Sequence, residues 1–188
     1  NREIFTMDEL ISCFDESRIN KSSSQYDVKK LNWFNAHYIK QLSLDELKNI
    51  TLPHLSAAYD LSDKSSEWID KLLTIYQDHL SYGKEIVSLT DMFFKSDISL
   101  DDECSQFMLQ DGVENTLSVF KQEISNVSDW TVENISTAIN NTKINSGSKG
   151  KMLYMPIRIK TTGQMHGPEL PDTLYLLGKN VVLERLCK

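Results

Sequence analysis

Glycine and proline are scarce in this sequence, with seven glycines and four prolines among 188 residues. These residues are the strongest local breakers of regular structure, so their scarcity favours long helices. No hairpin signal joins two short apolar runs, and no unit of about 20 to 50 residues repeats. The sequence therefore predicts an all-α fold.

Cysteine is also scarce, and Cys13, Cys104 and Cys187 are isolated from one another. None belongs to a CxxC pair or has a histidine at metal-ligand spacing, which argues against a zinc site and a disulfide framework. Isolated reduced thiols are typical of a cytoplasmic protein. No apolar run approaches the roughly 18 residues of a membrane span, and Asn1 to Glu16 lacks the apolar centre of a signal peptide. We expect a cytoplasmic protein without membrane contact.

Acidic residues are absent from one window of an otherwise acidic sequence. The formal net charge is −7, yet no Asp or Glu lies between Glu133 and Glu169. The basic residues in this window are Lys143, Lys149, Lys151, Arg158 and Lys160. A local basic stretch fits contact with a polyanion, because phosphate neutralisation depends on local charge. A solvated loop and helix face is the alternative that charge alone leaves open.

No catalytic constellation is visible. The histidines are scattered at positions 37, 54, 79 and 166, and no paired carboxylates lie in apolar surroundings that would raise a pKa. The loop NSGSKGK at 145–151 lacks the spacing of a phosphate-binding P-loop. We therefore expect no catalysis by this chain alone.

Local signals place several helices. Capping boxes at Thr6–Glu9 and Ser43–Glu46 mark two helix starts. Pro53 falls inside the second pattern and predicts a kink or a division of that helix. Residues 152–159 are ambiguous, because a short apolar run bounded by breakers also fits a strand.

Five short elements follow one another near the C terminus: Pro-Ile-Arg, Thr-Gly, Gly-Pro, Leu-Leu-Gly-Lys and Arg-Leu. They occupy residues 156–158, 162–163, 167–168, 176–179 and 185–186. In this order and spacing, the run MPIRIKTTGQMHGPELPDTLYLLGK resembles the C-terminal end of bacterial-type glutamyl-tRNA synthetases. Five ordered elements are far more specific than a lone glycine motif. The resemblance implies that residues 152–159 are helical, against the local pattern.

A second block, near the N terminus, resembles the segment that follows the catalytic core in the same family. Its matching residues are Phe5, Glu9, Phe14, Asp15, Tyr26, Asp27, Lys30, Leu31, Trp33 and Asn35. The resemblance implies the end of a helical stem-contact region at 1–44. It further implies two helical anticodon-binding subdomains, at 45–99 and 100–188.

The resemblance implies that the chain is the tRNA-recognising part of an enzyme that joins glutamate to its tRNA using ATP with Mg. The His-Ile-Gly-His-like and Lys-Met-Ser-Lys-Ser-like motifs of the catalytic core are missing, as is a Gly-rich turn after a strand. The chain itself is thus expected to bind no cofactor and no metal, and a monomer is favoured. A free-standing helical protein-interaction module without RNA binding is the competing hypothesis, and the acidic balance fits it.

Arg158 is the first candidate for an anticodon contact, because the family's arginine in this motif contacts an anticodon base. A guanidinium suits this role because it can donate hydrogen bonds in a planar fork or stack on the base. Gly167, Pro168 and Leu170 match the family's loop that meets the anticodon, and His166 lies beside them. The further tRNA-binding candidates are Lys149, Lys151 and Lys160.

These residues also have plainer interpretations. Arg158 fits a phosphate contact or a structural salt bridge, and residues 167–170 fit a turn followed by a helix start.

One position departs from the family. Members strict for the glutamate tRNA often carry an arginine before the Leu89 region, where this chain has only Lys84. Since lysine makes no bidentate contact, we expect the glutamine tRNA to be accepted beside the glutamate tRNA.

Overall fold

The computed structural model describes residues 2–19 and 25–188. Helices and turns account for the regular structure of these residues, without a strand, so the all-α prediction is confirmed. The helices are α1 (Met7–Cys13), α2 (Val28–Ile39), α3 (Leu44–Ala58), α4 (Ser66–Tyr76), α5 (Glu85–Leu89), α6 (Asp102–Met108), α7 (Val113–Ser125), α8 (Val132–Ser146), α9 (Lys151–Thr162), α10 (Leu170–Leu177) and α11 (Lys179–Cys187). Within these same ranges, no helix combines the length and the hydrophobicity that a membrane crossing requires.

The local signals for helix starts are confirmed, and of the kink or division predicted at Pro53 the division is wrong. Both capping boxes form, with Thr6 and Ser43 accepting from the third residue of their helices and the glutamates reaching back. The helix α3 continues through Pro53, so the predicted division there does not occur. Leu47 and Leu55 lie on either side of the proline and are buried in one core. Their packing offsets the stability lost with the backbone hydrogen bond that Pro53 cannot make.

Residues 152–159 lie in α9, so the helix implied by the family resemblance is confirmed and the strand alternative is wrong. Pro156 has no backbone N–H to donate to the carbonyl of Met152, four residues earlier. The hydroxyl of Thr116 in α7 lies 3.3 Å from that carbonyl and 2.9 Å from the carbonyl of Gly112. A neighbouring helix therefore places a donor near the acceptor that the proline leaves open.

Two large hydrophobic cores meet at α10. The first is formed chiefly by α3, α4 and α5, and the second by α7 to α11. Adjacent residues of α10 belong to different cores, because Leu176 packs into the first and Leu177 into the second. A smaller third cluster of α6 residues, including Cys104 and Phe107, covers another side of α9 through Ile159. The domain boundaries at 44 and 99 stay a prediction.

The C-terminal end of α10 is capped from both cores. A helix end leaves backbone carbonyls without intrahelical donors. The indole N–H of Trp68, in α4, donates to the carbonyl of Leu176 at 3.0 Å. The indole N–H of Trp130, before α8, donates to the carbonyl of Tyr175 at 3.2 Å. The two tryptophans thus hold α10 between the cores.

Arg185 makes the second connection between the cores. Its side chain, on α11, is almost fully buried at 3% exposure. Nη1 donates to the carbonyl of Thr161 at the end of α9, at 2.5 Å. Nη2 donates to the carbonyls of Met92 and Lys95, at 2.7 and 2.9 Å, in the turns that close the first core. One guanidinium therefore satisfies three carbonyls from both sides of the junction.

We expect Arg185→Ala to lower the free energy of unfolding by about 3 kcal/mol, because it leaves three buried carbonyls without donors. Urea denaturation followed by circular dichroism measures this loss. Lys188→Ala is the control, since Lys188 directly follows the same helix but is exposed, and it should stay close to the parent. A loss below about 1 kcal/mol for Arg185→Ala would show that water replaces the guanidinium.

Candidate nucleic-acid interface

Arg158 and the loop after α9 form the centre of the predicted site. Arg158 projects from α9 and is half-buried. Its Nη2 donates to the backbone carbonyl of Pro168 at 2.6 Å, across the loop that joins α9 to α10. Pro168 and Leu170 are buried, and Leu170 packs into the second core. The structure thus brings together four of the predicted site residues: Arg158, Gly167, Pro168 and Leu170.

Gly167 permits the close approach between the loop and the guanidinium. A Cβ at this position would lie 3.1 Å from Nη1 of Arg158. The backbone also has a φ of 154°, which residues with a side chain rarely adopt. Glycine therefore leaves the loop backbone uncovered beside the arginine.

Two further groups shape the electrostatics of Arg158. Burial lowers the pKa of its guanidinium, while Tyr76 and Glu169 act in the opposite direction. An arginine pKa is high enough for the charge to persist at neutral pH. Burial also raises the pKa of the Tyr76 hydroxyl, which finds no hydrogen-bond partner among the residues that the structure describes. The centre is therefore a charged arginine with an acidic neighbour in a partly desolvated setting.

The predicted lysines are not gathered around Arg158. Lys149 and Lys151 are exposed at the other end of α9, and Nζ of Lys151 lies 5.2 Å from the centre of the Phe107 ring. Lys160 follows Arg158 by two residues, which places it about 160° away around the helix. It lines a cavity of about 180 Å³ together with Asp97 and Arg185.

His166 and Lys84 lie at the surface. His166 is exposed in the loop directly before Gly167. Lys84 is exposed in the turn before α5, where it lines a depression together with Tyr59 and Tyr82. Among the described residues, no group of three or more His, Cys, Asp or Glu is placed to hold a metal ion.

Sequence reasoning missed Tyr154, Tyr76 and Glu169. Tyr154 is 47% exposed on α9, three residues after Lys151 and four before Arg158. This spacing was visible in the sequence, but it places the three on one face only if the segment is helical. Tyr76 comes from α4, about 80 residues earlier in the chain, and no local pattern relates it to Arg158.

The arrangement can offer N–H donors to a polar group placed beside the loop. The Nη2 of Arg158 binds Pro168, and the guanidinium carries five N–H donors in all. The partly exposed backbone at Gly167 adds polar groups that no side chain of its own covers. A planar partner with hydrogen-bonding edges fits these groups better than a free phosphate, because the Glu169 carboxylate would repel a phosphate.

A family model described as "Anticodon binding domain" matches residues 34–188. The glutamate–tRNA ligase of Geobacillus thermodenitrificans is 46% identical over 98% of this chain and 38% of its own length. That of Bacillus subtilis is 41% identical over 98% of this chain and 39% of its own length. The chain therefore spans less than two fifths of these relatives.

Solved structures give the same result. A glutamate tRNA ligase from Elizabethkingia meningosepticum, in complex with its amino acid, superposes with a TM-score of 0.77 at 25% identity, over 100% of this chain and 37% of that one. The glutamate–tRNA synthetase from Elizabethkingia anophelis gives a TM-score of 0.74, also at 25% identity, over 100% and 36%. The resemblance drawn from the sequence elements is confirmed.

We expect Gly167→Ala to lower the free energy of unfolding by about 1–3 kcal/mol, because the new Cβ meets the guanidinium and the backbone conformation is strained. Urea denaturation measures the change. Gly147→Ala is the control for positive φ alone, since its Cβ would meet nothing within 4 Å. In an Arg158→Ala background the cost at Gly167 should fall. An unchanged cost there would mean that the guanidinium is not the group displaced.

Proposed function

The chain belongs to the anticodon-binding domain family and is similar along its length to glutamate–tRNA ligases, and from this membership we propose that it recognises the anticodon of a tRNA. The observation that carries the proposal is the hydrogen bond from Arg158 to Pro168, which joins two separate motif elements in one partly buried site. The parent protein is then a cytoplasmic enzyme that attaches glutamate to its tRNA using ATP with Mg.

Recognition follows from what an unpaired base presents. Anticodon bases can leave the stack and expose their hydrogen-bonding edges to arginine and to backbone groups. The bond to Pro168 orients the guanidinium before RNA arrives, which reduces the ordering that binding requires. Arg158 then reads a base edge and the backbone at Gly167 meets the base beside it, while the buried Pro168 and Leu170 hold the loop in place.

Phosphate contacts are assigned to the other end of α9. Lys149 and Lys151 are exposed there, next to the turn after α8. Lysine suits a phosphate because its ammonium is a compact charge without a directional fork. These two residues therefore contribute affinity, and Arg158 contributes the choice of base. Lys160, on another face, and His166 are secondary candidates.

The glutamate tRNA is the first partner that we propose, with the glutamine tRNA as the second. Lys84 is exposed before α5 and replaces the arginine found in stricter members of the family. A single ammonium discriminates weakly between bases because it lacks the planar fork. The chain is accordingly expected to bind both tRNAs.

One observation favours a protein partner as well. The helix α1 buries no residue and exposes apolar side chains. Its Met7 and Ile11 are 71% and 67% exposed, and Phe14, directly after it, is 70% exposed. Such a surface fits an interaction module. A module without RNA binding would leave every tRNA unbound at low salt, so a tRNA titration separates it from the proposed function.

We expect Arg158→Ala to weaken binding of the glutamate tRNA by about 1–3 kcal/mol and to relax the preference for its anticodon, because a base-edge contact is lost. Fluorescence anisotropy with the native tRNA and an anticodon-swapped tRNA measures both effects. Lys121→Ala, at an exposed basic residue of α7 outside the basic window, is the control. If Arg158→Ala binds both tRNAs as the parent does, Arg158 does not read the anticodon.

We expect Lys149→Ala and Lys151→Ala to lower affinity evenly for native and swapped tRNA, because phosphates carry no sequence information. Each should also reduce the slope of log affinity against log salt by about 1. Titrations at several salt concentrations give the slope. Lys121→Ala, at an exposed lysine of α7 outside the basic window, should leave it unchanged. An unchanged slope for both window variants would remove them from the interface.

A further inference from the structure

Three side chains of α9 share one face of the helix, two of them exposed and the third half-buried. Lys151, Tyr154 and Arg158 are separated by three and four residues, which places them within an arc of about 60°. Tyr154 is 47% exposed. Leu153 and Ile157, at other positions around α9, are fully buried in the second core. The face shared by the three side chains therefore carries a cation, an aromatic ring and a second cation in line.

Tyr154 is distinguished by its neighbours rather than by its exposure. Single exposed aromatic residues are common on soluble proteins. Tyr154, however, has a basic residue one turn away on either side, and no acidic residue lies between positions 134 and 168 of the sequence. Proteins that bind single-stranded nucleic acids combine basic and aromatic side chains, because the basic groups bind phosphates and the bases stack on the aromatic rings.

Arg158 sets where RNA would lie on this face. Its guanidinium is bound to the loop after α9 by the hydrogen bond to Pro168. Tyr154 precedes it by four residues, about 6 Å along the helix axis. A base read by Arg158 would thus leave a neighbouring nucleotide of the same strand within reach of the tyrosine ring.

We propose that Tyr154 is a stacking platform for an unpaired base of the RNA that Arg158 reads, an inference that rests on the proposed function. Stacking uses the flat face of the base and tolerates any sequence. Tyr154 therefore contributes affinity without choosing the base, while Arg158 makes that choice. The phenol hydroxyl has no part in this role, so phenylalanine should replace tyrosine.

The test uses the 188-residue chain and an RNA hairpin carrying the anticodon loop of the glutamate tRNA, titrated by fluorescence anisotropy. We expect Tyr154→Ala to weaken binding about 5- to 150-fold, the range for loss of one stacked base. Tyr154→Phe should bind within about twofold of the parent. Neither variant should change the salt slope, since no charge is removed. Tyr26→Ala, at a tyrosine of 76% exposure in the N-terminal part, is the matched control.

A second readout reports stacking directly. Hairpins with 2-aminopurine at each anticodon position in turn should lose fluorescence when one labelled base stacks on the ring. Tyr154→Ala should abolish the quenching at that position, and Tyr154→Phe should retain it. A structural role alone would not produce a change confined to one base.

The outcomes separate the two proposals. If Tyr154→Ala binds the hairpin as the parent does, while Arg158→Ala loses affinity and discrimination, the stacking role is overturned. The proposal of anticodon recognition would still stand. A parent chain that binds no hairpin and no tRNA at low salt would overturn both. Equal losses for Tyr154→Ala and Tyr26→Ala would also overturn the inference, because the effect would not be particular to α9.

Discussion

Backbone carbonyls at buried helix ends govern how the two large cores of this protein are joined. The ends of α9 and α10 and the turns after α5 meet at the junction, where a buried carbonyl without a donor is costly. Arg185 donates to three of these carbonyls, and Trp68 and Trp130 donate to two more. Long side chains with N–H donors therefore replace water at the junction and set the position of α10 against both cores.

The candidate interface depends on this junction. The loop that carries Gly167 and Pro168 runs from the end of α9, where Arg185 binds the carbonyl of Thr161, to the start of α10, the helix whose other end the two tryptophans cap. Arg158 reaches this loop from α9 and binds the carbonyl of Pro168. A shift of α10 relative to α9 would alter that bond directly. The stability of the junction and the geometry of the candidate interface are thus linked, although different residues serve each.

The sequence elements divide between these tasks. Pro-Ile-Arg and Gly-Pro meet at the site, whereas Arg-Leu supplies the buried Arg185. In Leu-Leu-Gly-Lys, the two leucines enter different cores, and the ammonium of Lys179 donates to the carbonyls of Ser125 and Val127 at the end of α7. A motif that identifies a family is therefore not by itself a binding site, and three-dimensional contacts are needed to separate the two roles.

The sequence by itself determined the helical class, both capping boxes and the cluster around Arg158, because these depend on local spacing or on ordered motif elements. Local patterns could not decide whether α3 ends at Pro53, since the packing of Leu47 and Leu55 into the core keeps the helix continuous. Nor could they decide whether residues 152–159 form a strand, since the hydroxyl of Thr116 lies on another helix. The helical conformation of α9 separates Lys160 from Arg158 and places Tyr154 on the same face as Arg158, and only the tertiary structure brought Tyr76 from a distant helix. Local propensity acts over a few residues, whereas a site is made by packing between segments far apart in the chain.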